Sequence, residues 1–309
     1  MLRVLDLFSG IGGFSLGLER TGGFRTVAFC EIDKYCQMVL HKHWPGTWVF
    51  GDVRDVTAAR VSEVLADSEC DGRDSGPESR GALPATSEVE GKESEPRRIA
   101  DAAANGCSID VICGGFPCQD ISFAGKGAGI TGERSGLWSE YARIIGEVRP
   151  RYVIVENVAA LLGRGLGRVL GDLAALGYDA EWHCIPASAV GAPHRRDRVW
   201  IVAYPNRDGE HDGAIDAEVG GTSESVADYD EPRLQGRLGR LLRECAGQWT
   251  AGAGDSRYGI ADWWQSEPDV GRVAHGVPAR VDRLRSLGNA VVPQVVEVIG
   301  RAILEAELT

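Results

Sequence analysis

Short apolar runs, each ending in glycine or an acidic residue, alternate along the chain with segments of helical spacing. The runs occupy residues 3–8, 26–30, 48–50, 109–113 and 152–155. They have the length of strands rather than helices, and their mostly apolar character is typical of strands buried on both faces of a sheet. The pattern predicts the α/β fold class, in which ligands bind at the carboxyl ends of the strands of an open sheet.

Two further runs and two helices extend this prediction along the rest of the chain. The runs at 181–185 and 198–203 alternate or are continuously apolar, and they are predicted to pair as an antiparallel edge. Helical spacing is found over 137–148, and an amphipathic helix is predicted to end near Glu305. One edge of the sheet is therefore expected to be antiparallel.

The stretch after the fourth run carries a cysteine where the strand breaks into a loop. Gly114 and Gly115 end the run, and Pro117 stiffens the backbone before Cys118, so the direction of the thiol is set by backbone geometry. An isolated cysteine is more often an inert, half-buried side chain than a nucleophile. Cys118 is therefore a catalytic candidate only together with its neighbours.

Polar groups stand at the carboxyl ends of the first three strands, where they predict one cofactor-binding edge. The turn Gly10–Gly13 follows the first strand, Glu31 follows the second and Asp52 follows the third. Glycines let a ligand approach the backbone, and an acid at the tip of the second strand suits the hydroxyls of a ribose. The glycine spacing is not the G-x-G-x-x-G of dinucleotide binding, and alone it is equally consistent with an ordinary strand-to-helix turn.

Charged residues also mark the ends of later runs. Glu156 follows the run 152–155 at the level predicted for Cys118. A carboxylate there is costly to bury without a partner, which makes Glu156 a functional candidate, with helix capping as the alternative. The cationic turn that contains Arg196 and Arg198 suits anionic or carbonyl oxygens, although charged runs usually face solvent.

Two polar excursions interrupt the apolar pattern. Residues 66–107 are rich in Ser, Gly, Glu, Pro and Asp, and they predict a mobile, mildly acidic insertion between two strands. Residues 205–269 carry arginines at near-helical spacing together with tryptophans, which are side chains suited to contact nucleic acid. This second excursion predicts a small separate module.

Composition narrows the class of protein. The 309 residues have a formal net charge of −12 and are 43% hydrophobic, which indicates a folded protein whose surface as a whole does not bind nucleic acid non-specifically. The eight cysteines are scattered without a C-x-x-C pair, which disfavours a disulfide framework or a zinc site. No apolar run approaches the roughly 20 residues that span a bilayer and no signal peptide is recognised, so we expect a cytoplasmic protein without a membrane contact.

Five ordered motifs together resemble those of the DNA (cytosine-5)-methyltransferases, most closely the short bacterial and bacteriophage members. The motifs are Asp6–Phe14, Gly114–Gln119, Glu156–Val158, Arg195–Arg198 and Leu287–Val291. The resemblance implies a Rossmann-like, S-adenosylmethionine-dependent methyltransferase fold with a small inserted target-recognition module. It divides the chain into a catalytic and cofactor-binding domain at 1–204, a target-recognition segment at 205–269 and a C-terminal segment at 270–309 that returns to the catalytic domain.

The resemblance also implies a covalent mechanism with roles for four side chains. Cys118 resembles the nucleophile that adds to carbon 6 of cytosine, and Glu156 resembles the acid that neutralises charge at nitrogen 3, which requires a raised pKa. Arg198, with Arg196 behind it, resembles the arginines that hold the pyrimidine oxygen and the carboxylate. The residues implied to bind S-adenosylmethionine, without a metal and with S-adenosylhomocysteine as product, are Phe8, Gly10, Gly12, Gly13, Glu31, Ile32, Asp52, Val53, Pro117, Leu137, Asn289 and Val291.

The implied substrate is a cytosine flipped out of a specific double-stranded DNA sequence, with Ser122–Ile130 as the candidate closing loop. A monomer is expected, with a cognate restriction endonuclease as a system partner only. A transfer-RNA cytosine-5 methyltransferase on the same fold and a non-catalytic DNA-binding module stay open as alternatives. A zinc cytidine deaminase is disfavoured because Pro117 and Cys118 are not followed by the second cysteine of a P-C-x-x-C pair.

Overall fold

A mixed sheet forms the centre of the computed structural model, which describes residues 1–70, 108–117, 137–206, 237–244 and 280–308 but not the side chains of 67–70, 280 and 284. The strands within these residues are β1 Leu2–Leu7, β2 Phe24–Cys30, β3 Trp48–Phe50, β4 Val111–Gly114, β5 Tyr152–Val158, β6 Tyr178–Ile185 and β7 Arg198–Pro205. Their order in the sheet is β3-β2-β1-β4-β5-β7-β6. The first five pair in parallel, whereas β7 is antiparallel to both β5 and β6. The predicted α/β class and the predicted antiparallel pairing of the last two strands are confirmed.

Helices cover both faces of the sheet because apolar side chains point to each face in turn. The helices in the described residues are α1 Gly13–Glu19, α2 Lys34–His43, α3 Ala58–Cys70, α4 Leu137–Val148, α5 Leu161–Arg164, α6 Leu166–Ala175, α7 at 237–244, α8 Arg280–Asn289 and α9 Pro293–Glu307. One buried cluster joins the sheet to α3 and α4, for example through Leu65 and Ile144. The cluster on the opposite face joins it to α1 and α9, for example through Leu18 and Ile299.

Several element boundaries differ from the sequence prediction. β5 continues to Val158, so Glu156 lies within the strand rather than after it. β1 ends at Leu7 because Phe8 has a left-handed backbone, with φ of 53°, and so begins the turn. α3 continues to Cys70, into the insertion predicted to begin at residue 66, because the buried residues Val61 and Leu65 anchor the helix on the sheet. The rest of that insertion, residues 71–107, lies outside the described residues.

The helix α7, which lies within residues 205–269, contacts the core of the sheet. Leu238 and Leu241 of α7 are buried in the same cluster as the apolar side chains of α1 and α9. Nη2 of Arg240 donates to Oε2 of Glu305 on α9 at 2.5 Å. The leucines of this helix thus use the core of the sheet, and the division of the chain that makes 205–269 a separate module stays a prediction. Residues 207–236 and 245–279 lie outside the described residues.

One stretch of the described chain, Val281–Glu307, is long and apolar enough to cross a membrane by length and composition alone, contrary to expectation. It consists of two helices, α8 and α9, which are interrupted at 290–292. In α9 the apolar side chains of Val296, Ile299 and Ile303 are fully buried in the cluster shared with α1. The core helix of a soluble protein passes the same test, so this stretch is weak support for a membrane span.

Candidate functional site

The registers of the parallel strands bring several predicted site residues to one edge of the sheet. Leu7 at the end of β1 pairs with both Cys30 of β2 and Gly114 of β4. Gly114 in turn pairs with Val155 of β5. The residues that follow these positions, among them Phe8, Glu31 and Glu156, therefore lie in one row. This row is the carboxyl edge at which the sequence predicts a ligand.

The turn after β1 is held in a conformation that few residues adopt. Phe8 and Gly10 have φ of 53° and 55°. This conformation is costly for Phe8 and would be costly for any residue other than glycine at position 10. The ring of Phe8 stacks on that of Tyr141 with centroids 6.2 Å apart. Oγ of Ser9 donates to the carbonyl oxygen of Asp6 at 2.6 Å. The stacking of Phe8 and the hydrogen bond of the Ser9 hydroxyl thus hold the turn in this conformation.

The three glycines of this turn have different surroundings. A Cβ added to Gly10 would meet no atom within 4 Å, whereas one added to Gly12 would lie 2.5 Å from the ring of Trp44. One added to Gly13 would lie 2.8 Å from Cγ2 of Val291. Only at Gly10 among these three is the α-carbon open to an approaching ligand. Gly12 and Gly13 instead allow close contact between α1 and its neighbours.

Glu31, the residue that follows β2, is hydrogen-bonded to the turn that follows β1. Its Oε2 accepts a hydrogen bond from the amide of Gly10 at 2.6 Å, and Oε1 accepts one from the amide of Asp33 at 2.8 Å. Burial raises the pKa of Glu31, and the amide hydrogen bonds from Asp33 and Gly10 oppose that shift. Ile32 follows with 71% of its surface exposed. An open glycine, an acid and an exposed apolar side chain fit the ribose and base of a nucleoside cofactor.

The other predicted cofactor residues are more dispersed. Oδ1 of Asp52 accepts from the amide of Arg54 at 2.9 Å, so Asp52 caps the short turn Val53–Asp55, in which Val53 is buried in the core. Leu137 is half-buried against the core at the start of α4. Asn289 is exposed at the end of α8. The structure therefore groups Glu31 with the turn Phe8–Gly13, and Val291 with Gly13, but gives Asp52 and Val53 ordinary structural contacts.

Glu156 is a nearly buried carboxyl group paired with an arginine. Its side chain is 12% exposed, and Nε of Arg198 on β7 lies 2.9 Å from its Oε1. Burial raises the pKa of Glu156, and the positive charges of Arg198 and Arg196 oppose that shift. A Cβ added to Gly115 would lie 2.8 Å from Oε2, so glycine is needed there for the carboxyl group to occupy this position. Glu156 is therefore a group that can hold a proton at the edge of the sheet.

Arg196 lies in the same cleft as Glu156 and Arg198, and two of its hydrogen bonds are to the backbone. Nη1 donates to the carbonyl oxygen of Gly288 at 2.9 Å, and Nη2 donates to that of Ala290 at 2.7 Å. From the sequence, Arg196 is expected to stand behind Arg198 and hold the carboxylate. Its partners Gly288 and Ala290 were not predicted, because they lie far away in the sequence.

The loop that leads toward Cys118 is tied to β5 by a buried amide. Nδ2 of Asn157 donates to the carbonyl oxygen of Phe116 at 3.1 Å, and Phe116 packs on Trp138 with ring centroids 5.5 Å apart. Pro117 is the last described residue of this loop. Cys118 itself and the candidate closing loop Ser122–Ile130 lie outside the described residues. The described residues thus fix the start of the loop, next to Glu156.

Two site residues were not singled out from the sequence. Asp6 is fully buried on β1, where its Oδ2 accepts hydrogen bonds from the hydroxyl of Ser15 at 2.7 Å and from its amide at 3.3 Å. Trp200 pairs with Glu156 across β5 and β7, and within the described residues its Nε1 has no hydrogen-bond partner. An acid inside an apolar strand was a signal for Asp6, whereas Trp200 read as an ordinary core residue.

The described residues contain no group of three or more histidine, cysteine, aspartate or glutamate side chains that could hold a metal ion. The side chains that could hold a cofactor are instead those around Gly10 and Glu31. The side chains that could bind a nucleotide base lie around Glu156 and Arg198. The site thus has two parts along one edge of the sheet.

Several known proteins are similar to this chain in sequence or in fold. A model of the C-5 cytosine-specific DNA methylase family matches residues 2–71 and 86–255. The type II methyltransferase M2.BsuMI of Bacillus subtilis is 30% identical over 210 residues, which are 65% of this chain and 42% of that protein. M.DsaV of Dactylococcopsis salina is 28% identical over 248 residues, 79% of this chain and 54% of that protein. The chain thus spans about half the length of these curated relatives.

A crystal structure of a candidate DNA modification methyltransferase encoded within an E. coli prophage superposes over 100% of both chains, with a TM-score of 0.54 and 18% sequence identity. At this identity the likeness shows the fold, which is the Rossmann-like fold of methyltransferases that use S-adenosylmethionine. The family match covers well over half of the chain and includes four of the motifs quoted above. The family resemblance predicted from the sequence is confirmed, and the chain belongs to the C-5 cytosine-specific DNA methylase family.

Proposed function

We propose that this protein transfers a methyl group from S-adenosylmethionine to carbon 5 of a flipped-out cytosine in double-stranded DNA, through a covalent adduct with Cys118. The observation that carries the proposal is Glu156, a nearly buried carboxyl group with a raised pKa that Arg198 contacts at 2.9 Å. It is the neighbour in sequence of Asn157, which holds the loop that leads to Cys118. Membership of the family supports the same activity.

The chemistry requires an acid of this kind. Carbon 5 of cytosine is a poor nucleophile, so the Cys118 thiolate first forms a bond to carbon 6, and the displaced electron pair moves toward nitrogen 3. A protonated Glu156 beside nitrogen 3 neutralises that charge by donating its proton, and carbon 5 becomes nucleophilic. After carbon 5 gains the methyl group, it loses its proton to a water molecule; that electron pair re-forms the bond between carbons 5 and 6, and the sulfur leaves carbon 6 as a thiolate. Glu156 takes back the proton from nitrogen 3, and the aromatic ring and the thiolate are restored.

Arg198 orients the acid and the base in this proposal. One edge of its guanidinium contacts Glu156 through Nε, and Nη1 donates to the carbonyl oxygen of Asp197 at 2.8 Å. These two contacts fix the plane of the group, which suits it to bind the carbonyl oxygen of a pyrimidine. The positive charge of Arg198 also lowers the pKa of Glu156, against the stronger effect of burial, so the acid remains able to release its proton.

The cofactor pocket is proposed at the turn after β1. S-adenosylmethionine would supply an electrophilic methyl group, and the residues that would hold it are Phe8, Gly10, Glu31, Ile32 and Val291. Glu31 would accept hydrogen bonds from the ribose hydroxyls, Ile32 would cover the adenine, and the open face of Gly10 would admit the methionine part. Pro117, Leu137 and Asn289 remain predicted contacts, as do Gly12, Gly13, Asp52 and Val53 in spite of their structural contacts.

The decisive experiment combines methyl transfer with covalent trapping. Native protein should transfer tritiated methyl groups from S-adenosylmethionine to duplex DNA, and a fluorocytosine-containing duplex should trap it covalently. Cys118→Ser should abolish both the turnover and the adduct while retaining cofactor binding. Cys184→Ser is the matched control, because Cys184 is an exposed thiol on the edge strand β6. Glu156→Gln should lower kcat by about 10²- to 10⁴-fold, the range expected for loss of a general acid.

Each alternative has its own outcome in this experiment. Methyl transfer to transfer RNA rather than DNA would identify transfer RNA as the substrate. Background incorporation with both nucleic acids would favour a non-catalytic DNA-binding module. Absence of the adduct in native protein, with full folding, would overturn the nucleophile assignment. The recognition role of 205–269, a monomeric state, a cytoplasmic location and a cognate restriction endonuclease stay predictions.

A further inference from the structure

The segment 288–293, in which α8 ends and α9 begins, is gripped from two sides. On one side α1 approaches so closely that a Cβ on Gly13 would lie 2.8 Å from Val291, and one on Gly17 would collide with the carbonyl oxygen of Pro293. On the other side the guanidinium of Arg196 donates to the carbonyl oxygens of Gly288 and Ala290 at 2.9 and 2.7 Å. Asn289 lies between the two carbonyls. Its backbone position is therefore set by the arginine fork.

The two hydrogen bonds from Arg196 form a clamp on Gly288 and Ala290, and this clamp suits the chemistry of a helix end. The last carbonyl groups of α8 lack partners within the helix and carry its negative partial charge. A guanidinium presents two parallel N–H donors with a positive charge, so it satisfies two such carbonyls at once. Arg196 itself has φ of 41°, a left-handed backbone that is costly for arginine. A costly conformation held by two charged hydrogen bonds indicates that the position of this side chain matters.

Arg196 also faces the cleft that contains the carboxyl group of the base site. The same cleft is lined by Glu156, Arg198 and Trp200 and, from the gripped segment, by Val291. One side chain thus contacts the segment that holds two predicted cofactor residues, Asn289 and Val291, and borders the predicted base site.

We propose that Arg196 is a positioning residue that joins the two halves of the site: by clamping Gly288 and Ala290 it sets the cofactor contacts of Asn289 and Val291 at the wall of the base-binding cleft. This inference rests on the proposed function and extends it. It assigns Arg196 a task different from that of Arg198, since Arg198 contacts the carboxyl group directly whereas Arg196 acts through the backbone of the C-terminal segment.

The charge of Arg196 has a separate effect, which provides a control. Arg198 and Arg196 are the charged groups that lower the pKa of Glu156, and both come from β7 or the turn before it. From β4 the carboxyl group faces Gly115, and the gripped segment and α9 present Val291, Val292 and Val295 to the cleft. Across β7, His183 of β6 lies beyond Trp200.

Two substitutions separate the clamp from the charge. Arg196→Lys keeps the positive charge but lacks the planar fork whose two separate nitrogens reach the two carbonyls, whereas Arg196→Met removes both properties. The neighbouring Arg195, whose side chain is 82% exposed and 3.3 Å from Asp197, gives Arg195→Lys as the matched control. For each protein, the dissociation constant for S-adenosylmethionine, kcat and KM for duplex DNA, the pH dependence of kcat and the unfolding midpoint should be measured.

For Arg196→Lys we expect the dissociation constant for S-adenosylmethionine to rise by about tenfold or more, the equivalent of one lost charged hydrogen bond. The alkaline limb of its kcat profile, where kcat falls as the pH rises, should lie at the same pH as in native protein. Arg196→Met should weaken cofactor binding similarly and also move that limb to higher pH, because the pKa of Glu156 rises when the charge is removed. Arg195→Lys should match native protein in every measurement.

The result that overturns the inference is native-like cofactor affinity in Arg196→Lys, or a loss of affinity that only follows a lowered unfolding midpoint. An alkaline limb that moves equally in both variants would also overturn it, since the carboxyl group would then be responding to the geometry. Failure of the proposed function looks different. In that case native protein itself neither methylates nucleic acid nor forms the fluorocytosine adduct, whatever the variants do.

Discussion

Asp6 offers a quantitative test of how the centre of the sheet is built. Burial raises its pKa from an ordinary value of 3.8 to about 8, although hydrogen bonds from Ser15 oppose that shift. The carboxyl group is fully buried, and its Oδ1 has no hydrogen-bond partner among the described residues. Ionisation would leave a charge there whose loss of hydration outweighs the hydrogen bonds from Ser15 and Cys113. The folded protein therefore holds this proton at neutral pH.

The sign of the effect follows from proton binding. Between about pH 4 and pH 8 the folded state retains a proton on Asp6 that the unfolded chain releases, so the free energy of unfolding falls as the pH rises. The slope from this group is about 1.4 kcal/mol per pH unit. From pH 5.5 to 7.5 the loss from Asp6 alone is about 3 kcal/mol. The contribution is complete below the unfolded pKa and is lost by the time the pH exceeds the folded pKa.

Asp6→Asn removes the titration but keeps the shape of the protonated group. The amide oxygen can accept the hydrogen bonds of Ser15, and the amide nitrogen takes the place of the protonated oxygen. Urea unfolding of native protein and of the variant should be followed at pH 5.5, 6.5 and 7.5. We expect the variant to gain about 3 kcal/mol relative to native protein across that range. Asp55→Asn, a change at an exposed carboxylate, should show no such gain.

Other titrating groups, including Glu156, are present in both proteins and cancel in the difference, apart from Glu31, whose charge also raises the pKa of Asp6. A difference between native protein and Asp6→Asn that is constant from pH 5.5 to 7.5 would mean that Asp6 is ionised in the fold. The reasoning from burial would then fail at this residue.

Two further substitutions test the support of the base site. Asn157→Ala leaves the buried carbonyl of Phe116 unpaired, so the free energy of unfolding should fall by about 1–3 kcal/mol, and trapping by the fluorocytosine duplex should slow; unchanged trapping would show that the tether does not position the loop. Gly115→Ala places a Cβ 2.8 Å from Oε2 of Glu156, so kcat should fall by roughly 10²-fold through displacement of the acid. Gly163→Ala, in α5 with open space around it, is the control, and equal activity in both glycine variants would contradict the packing argument.

The central strands of this protein could be predicted because their buried runs are short and most of them meet glycine or an acid at the carboxyl end. Glu31 and Glu156 could be predicted for the same reason, since Glu31 directly follows β2 and Glu156 directly follows the apolar run 152–155, within the last residues of β5. The position of β7 between β5 and β6 could not, because strand order depends on long-range pairing. The extent of α3 was missed because polar residues on its exposed side conceal the buried positions of Val61 and Leu65.

The least predictable part of the site is the set of contacts made by Arg196. An arginine-rich turn indicates that anionic or carbonyl oxygens are near, but not which ones. Its partners, Gly288 and Ala290, are 92 and 94 residues away. Only the fold brings them together. The same holds for Gly13, whose sequence context indicates a ligand turn while its Cβ position is taken up by Val291.

The contact of α1 with α9 has a consequence for biosynthesis. Phe14 and Leu18 near the start of the chain are covered by Val296, Ile299 and Ile303 near its other end. While the chain is being translated, those apolar side chains lack the cover of α9 until that helix leaves the ribosome. Nascent chains should therefore need protection by a holding chaperone until residues 293–307 emerge, and ribosomes stalled before residue 293 should carry chains that are degraded or aggregate.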